Sequence, residues 1–157
     1  IALIVELAST RARTTEVLRV SGLVRTSEAA TLAIHAAAIM ASSSGPPVTA
    51  SAMAEGLSAS EAHLAKVLQR LAKEGLVSGT RGPGGGFRLT RPASRITLRE
   101  VYEAIEGRLE VERCMLSSPV CEKKDCPLGK LFSRLTDDAM KTLGNTTLAD
   151  VELPLTT

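Results

Sequence analysis

The side chains best suited to chemistry in this 157-residue chain are three thiols, Cys114, Cys121 and Cys126, with six and then four residues between them. Thiolates are soft ligands, and three on one short loop can converge on a single centre, which suits an iron–sulfur cluster or zinc. The intervening residues, MLSSPVCEKKD, are polar and turn-rich, a poor setting for three buried structural thiols. Disulfides are not expected either. The uncharged start Ile1–Val5 is followed by Glu6, Arg11 and Arg13, which does not read as a signal peptide, so a cytoplasmic, reducing location is expected. Metal or cluster ligation, a reversible thiol switch, and a loop holding nothing remain open. An electron-transfer ferredoxin would normally need a fourth cysteine.

Bulk properties narrow the setting. Hydrophobic residues make up 44% of the chain and charged residues 23%, as in an ordinary globular protein, while aromatics are only 2% with no Trp. The core must therefore be aliphatic, which favours packed helices over a β-sandwich. No apolar run approaches the ~20 residues of a membrane span, so no membrane partner is expected. The net charge of +2 decides little, but its distribution is uneven. Residues 60–99 carry Lys66, Arg70, Lys73, Arg81, Arg88, Arg91, Arg95 and Arg99 against only Glu61 and Glu74. Such a cationic surface suits a phosphate backbone, or is merely a solvated basic face. No Ser/His/Asp or Cys/His constellation, no carboxylate pair and no dinucleotide glycine motif is present, so an enzyme is not expected.

The elements that must position these residues follow from caps and periodicity. Ser27-Glu28 opens an Ala-rich helix to about Ala41, and SSSGPP at 42–47 is a loop. Thr49 caps a short helix over 50–55 that Gly56 ends. Ser58 with Glu61 offers a capping box for the next helix, which runs to Glu74 and stops at Gly75. Its Leu64, Val67, Leu68 and Leu71 form an inward stripe, opposite His63, Lys66, Gln69, Arg70 and Lys73. Residues 76–81 and 87–91 read as two strands joined by GPGGG. Thr97 caps an amphipathic helix to Gly107, and Pro127 opens a last helix to about Thr142, projecting from the domain.

Two helices across a tight turn, the second basic outside, followed by a hairpin, make a winged helix-turn-helix. The fold class is mainly α with one small β-hairpin. The start of the second helix, Ser60, Glu61, Ala62, His63 and Lys66, with Arg70 further on, is placed to meet base edges and phosphates of double-stranded DNA. Arg81 beside the side-chain-poor tip of Gly82 and Gly84, with Arg88 on the second strand, completes the candidate DNA set. A P-loop is excluded because no Gly-Lys-Ser/Thr opens a helix here. A plain turn without ligand remains the simpler alternative for the tip.

The stretch LQRLAKEGLVSGTRGPGGGFRLTR, residues 68–91, closely resembles the Rrf-type (IscR/NsrR-like) winged-helix transcriptional regulators. The resemblance runs from about Val24 to Leu148 and includes NTTLAD at 145–150. It implies a homodimer joined by the long C-terminal helix, and a [2Fe–2S] or [4Fe–4S] cluster on Cys114, Cys121 and Cys126 completed by a non-cysteine ligand. It also implies regulation by redox state, nitric oxide or iron–sulfur status. Two departures matter. Relatives with a His three residues after the third cysteine differ from this chain, which has Gly129 there, leaving His35 or Glu28 of a partner subunit as candidate fourth ligands. The Tyr-Leu-Glu of many recognition helices is His63-Leu64-Ala65 here, so an acceptor for cytosine N4 is missing and the operator sequence does not carry over. The expected organisation is an N-terminal extension over 1–23, a winged-helix domain over 24–107, a cysteine loop over 108–126, and a dimerisation helix with its tail over 127–157. The rival is a metal-site scaffold whose winged helix contacts protein rather than DNA.

Overall fold

The computed structural model describes residues 26–110, 126–151 and 153. Five helices and one hairpin follow in order: α1 (Glu28–Ser42), α2 (Ala50–Gly56), α3 (Glu61–Lys73), β1 (Val77–Thr80), β2 (Gly86–Leu89), α4 (Leu98–Glu106) and α5 (Pro127–Asn145). The architecture is mainly helical with a small antiparallel wing.

Side-chain caps start three helices. Ser27 Oγ accepts from the Ala30 N–H, Thr49 Oγ1 from the Ala52 N–H, and Thr97 forms a capping box with Glu100. These bonds satisfy donors that a helix start otherwise leaves free. Burial pushes the Glu100 carboxyl up, but hydrogen bonds from Thr97 and the Arg91 guanidinium outweigh it and hold Glu100 below its ordinary range.

The turn between α2 and α3 corrects two expectations. Ser58 does not cap α3; it lies at φ +51° and closes α2. The Ala59 N–H reaches Ala54 O at 2.8 Å and the Ser58 N–H reaches Glu55 O at 3.0 Å, the two bonds of a Schellman ending. Helix α2 therefore runs through Gly56, and the left-handed residue is a serine. Ser60 is the N-cap of α3, without a side-chain cap bond. At the other end of α3 the expected stop holds, because Gly75 at φ +72° sets a second Schellman ending with Leu76 N–H on Leu71 O.

The strands are shorter than their composition suggests. Val77 pairs with Leu89 and Thr80 with Gly86, leaving Arg81, Thr90 and Arg91 outside the ladder. Val48, just before α2, joins the far edge of β2: its N–H donates to Phe87 O at 2.9 Å and its carbonyl accepts from Phe87 N–H at 2.8 Å. That approach requires a glycine at position 86, whose φ is +155° and whose added Cβ would stand 2.7 Å from Val48 O. We expect Gly86→Ala to break the Val48–Phe87 pair and destabilise the fold by about 1–3 kcal/mol. A thermal midpoint equal to the parent protein's would contradict it.

The core lies between α1, α3 and α4. Ala30, Ala33, Ala36 and Ala38 are fully buried, so α1 packs through small side chains against neighbours that supply Leu64, Leu68, Leu71, Val101 and Met53. Among the described residues no polar or charged residue is buried. The chain also returns to this core after α5. Leu148 is 0% exposed, its N–H bonds Ile96 O at 2.9 Å, and Thr147 bridges to Thr97. The segment expected as a tail beyond a projecting helix thus completes the winged-helix core.

Candidate nucleic-acid interface

Helix α3 turns two different faces to its surroundings. Leu64, Val67, Leu68 and Leu71 are buried. At about 100° per residue, Ala62, Lys66, Gln69 and Lys73 stand opposite them. All four are exposed, as are Ser60 and Glu61 at the helix start. Gln69 was outside the expected DNA set, yet it shares this outward stripe, and an amide there can pair with the adenine edge. Its spacing of three from Lys66 was the available signal.

His63 and Arg70 are two turns apart on the flank of α3, and both have partners within the domain. His63 Nδ1 lies 3.7 Å from Glu28 Oε1 at the start of α1. Arg70 Nη2 donates to the carbonyl of Ile105 in the last turn of α4. Arg70, though exposed, thus has one guanidinium nitrogen engaged within the domain, and Glu28 faces α3.

The wing presents its cations openly. Phe87 leans on Gly79, with the ring 3.1 Å from where a Cβ would lie, and packs against the core. Side chains alternate along a strand, so Arg88 points to the opposite, solvent face. Arg88, Arg81, Gly82 and Gly84 are all exposed. Gly82 and Gly84 have φ of +98° and +74°, and the Gly85 N–H closes the tip on Gly82 O at 2.9 Å. Among the described residues, Lys66, Arg81 and Arg88 take part in neither ion pair, Arg91–Glu100 or Arg99–Glu103, nor in the His63–Glu28 approach.

Of the thiols, Cys114 and Cys121 lie outside the described residues. Cys126 is half-buried, is not in a disulfide, and occupies the N-cap of α5 without a side-chain cap bond. Gly129 is buried one turn later. His35, the other candidate ligand, is half-buried on α1 with Nδ1 held 2.7 Å from Thr31 O. If Nδ1 donates there, Nε2 carries the free lone pair, the arrangement usual for ligating histidines. Among the described residues no three His, Cys, Asp or Glu side chains converge on one point. No described helix is long and apolar enough to cross a membrane.

Comparison with known proteins agrees with this geometry. The profile of the Rrf2 family, described as iron-dependent transcriptional regulators, matches residues 26–152. The HTH-type transcriptional regulator IscR of Escherichia coli strains is 35% identical over 106 residues, covering 67% of this chain and 65% of the relative. The match thus spans just under two thirds of the relative's own length. In fold, the chain is similar to CymR, the global cysteine regulator of B. subtilis, with a TM-score of 0.66, 24% identity, and coverage of 82% of this chain and 95% of that one. The T. potens IscR structure gives a TM-score of 0.65 at 22% identity over 81% of this chain and 85% of that one. The family and these relatives are described as regulators, not enzymes. With a matching profile over most of its length and the same winged-helix architecture, the chain belongs to the Rrf2 family of transcriptional regulators.

Proposed function

We propose that this protein is a homodimeric, cytoplasmic DNA-binding regulator whose cysteine loop senses redox state, nitric oxide or iron–sulfur status. The observation that carries the DNA reading is the set of unpaired, exposed cations Lys66, Arg81 and Arg88 on the outward side of α3 and the wing. Ser60, Glu61, Ala62 and Gln69 face base edges in this reading, with His63 on the flank beside them, and Gly82 and Gly84 let the tip approach a groove with Arg81 leading. The homodimer reading is supported by α5, in which Gly129 alone is buried while Leu128 is 56% exposed and Leu131 and Leu135 are not fully covered. Two such faces would bury one another.

Cys114, Cys121 and Cys126 would hold an iron–sulfur cluster, with His35 of a partner subunit as the better fourth ligand. The donor set fits: three soft thiolates and an imidazole whose Nδ1 already has an acceptor. Bound there, the group supplies a centre that changes charge and ligation with its chemical surroundings. The Glu28 carboxylate is the weaker candidate because it sits beside His63.

The test is duplex binding as a function of salt, using a mixed-sequence duplex pool and then the sequences it enriches. Affinity should fall steeply as salt rises, because neutralised phosphates release counterions. Lys66→Ala and Arg81→Ala should each weaken binding about 5–150-fold and lower the salt slope by roughly one. Salt-independent binding, or parental affinity in both variants, sinks the assignment.

A further inference from the structure

Three hydrogen bonds meet where α4 runs into the cysteine loop. Ser27 Oγ, at the cap of α1, donates to Glu106 Oε1. Glu103 Oε1 accepts from Arg99 Nε at 2.9 Å and from the Leu109 N–H at 3.1 Å. Burial pushes the Glu103 carboxyl up, but those two bonds outweigh it and hold it below the usual carboxylate range, so it is a carboxylate when it takes the Leu109 N–H. Leu109 is also the residue one turn beyond Ile105, whose N–H would close the helical bond to Ile105 O. Helix α4 ends at Glu106, where Gly107 at φ +88° turns the chain away, so Ile105 O is a terminal carbonyl without a helical donor, and Arg70 of α3 fills the place.

We propose that Arg70 is a positioning residue through which the cysteine loop sets the recognition helix, its guanidinium clasping the last turn of α4 instead of a phosphate. The wheel of α3 supports this. Arg70 shares its flank with His63: Ile105 O meets one end of that flank, and the Glu28 carboxylate lies 3.7 Å from His63 Nδ1 at the other. The loop begins two residues beyond Glu106, and Glu103 holds its second residue, Leu109, through the backbone N–H. If the Gly107 turn rewinds and Leu109 N–H takes the helical bond to Ile105 O, that carbonyl gains a backbone donor along the helix axis and its bond to Arg70 weakens. Releasing Arg70 frees one end of the flank, and α3 can tilt about the Glu28–His63 contact.

The proposal rests on the sensing reading of the loop, and the parent protein is the arm that tests that reading. Duplex affinity and its salt slope are measured for the full chain in two states: reconstituted anaerobically with ferrous iron and sulfide, and iron-free with thiols alkylated by iodoacetamide. The parent protein should differ between states by about fivefold or more. In Arg70→Ala the two affinities should converge to within a factor of ~2 while the salt slope in each state stays at the parent value, with Arg70→Lys restoring part of the difference. A slope lower by roughly one in Arg70→Ala would make Arg70 a phosphate contact and overturn the proposal. So would an undiminished difference between states. Glu103→Ala approaches from the loop side without touching α3 and should also shrink the difference; it decides the matter should Arg70→Ala not fold. Equal affinities in the parent protein would remove the sensing reading and the clasp together, whereas a difference that persists in both variants removes the clasp alone.

Discussion

Leu148→Ala should destabilise the protein by about 2–5 kcal/mol, the range for emptying a fully buried leucine site. Leu148 is 0% exposed and sits on backbone fixed from both sides: Leu98 N–H bonds Thr146 O at 2.9 Å and Leu148 N–H bonds Ile96 O at 2.9 Å. The Thr147–Asp150 capping box holds the turn in place, so the segment cannot slide inward to fill the space. A lower thermal midpoint, by roughly 5–20 °C for a domain of this size, is the expected reading. The neighbouring Ala149 is exposed, and Ala149→Ser should stay within about 0.5 kcal/mol of the parent. A small effect at both positions would mean that the returning segment does not dock in solution.

The thiols should behave in the opposite way, with large spectroscopic and small structural effects. Replacing any one of Cys114, Cys121 or Cys126 by Ala should abolish the visible iron–sulfur absorbance of anaerobically reconstituted protein. A trithiolate set with one member missing leaves only two soft protein donors in the loop. Stability should change little, and Cys126 gives the physical reason. It stands at the N-cap of α5, where Ser or Asp would bond the helix N–H groups, yet its thiol makes no cap bond. Cys126→Ser should therefore preserve or slightly strengthen the helix start while losing the absorbance. Protein that binds stoichiometric zinc and no iron under the same conditions would replace the cluster reading with a zinc site. Retained absorbance in all three variants would remove the ligand assignment altogether.

Much of this protein follows from local rules. Ser27, Thr49 and Thr97 are good caps, and each starts its helix where expected, because capping depends on residues within one turn. The inward stripe of α3 is legible from spacing alone, since a helix with one aliphatic face has one stable way to lie on a core. The glycine-tipped hairpin is equally local. Where two local rules competed, sequence reasoning chose wrongly. Ser58 with Glu61 satisfies a capping pattern, but Ser58 in the left-handed region closes α2, where its own N–H and that of Ala59 satisfy the last carbonyls of that helix.

Contacts remote in sequence were decided by the tertiary structure. Val48 on the edge of β2, Leu148 in the core and Arg70 on Ile105 O join residues far apart along the chain. No periodicity encodes such pairs. Arg70 shows the limit most clearly: its charge and spacing suited a phosphate contact, and only the arrival of α4 adds the Ile105 carbonyl as a partner. The sequence by itself determined which residues are apolar, which can cap and which carry charge, because those properties belong to single residues and single turns. The fold decided which of those charges take a partner within the domain, because a buried or terminal carbonyl without a donor is costly and a nearby cation can satisfy it.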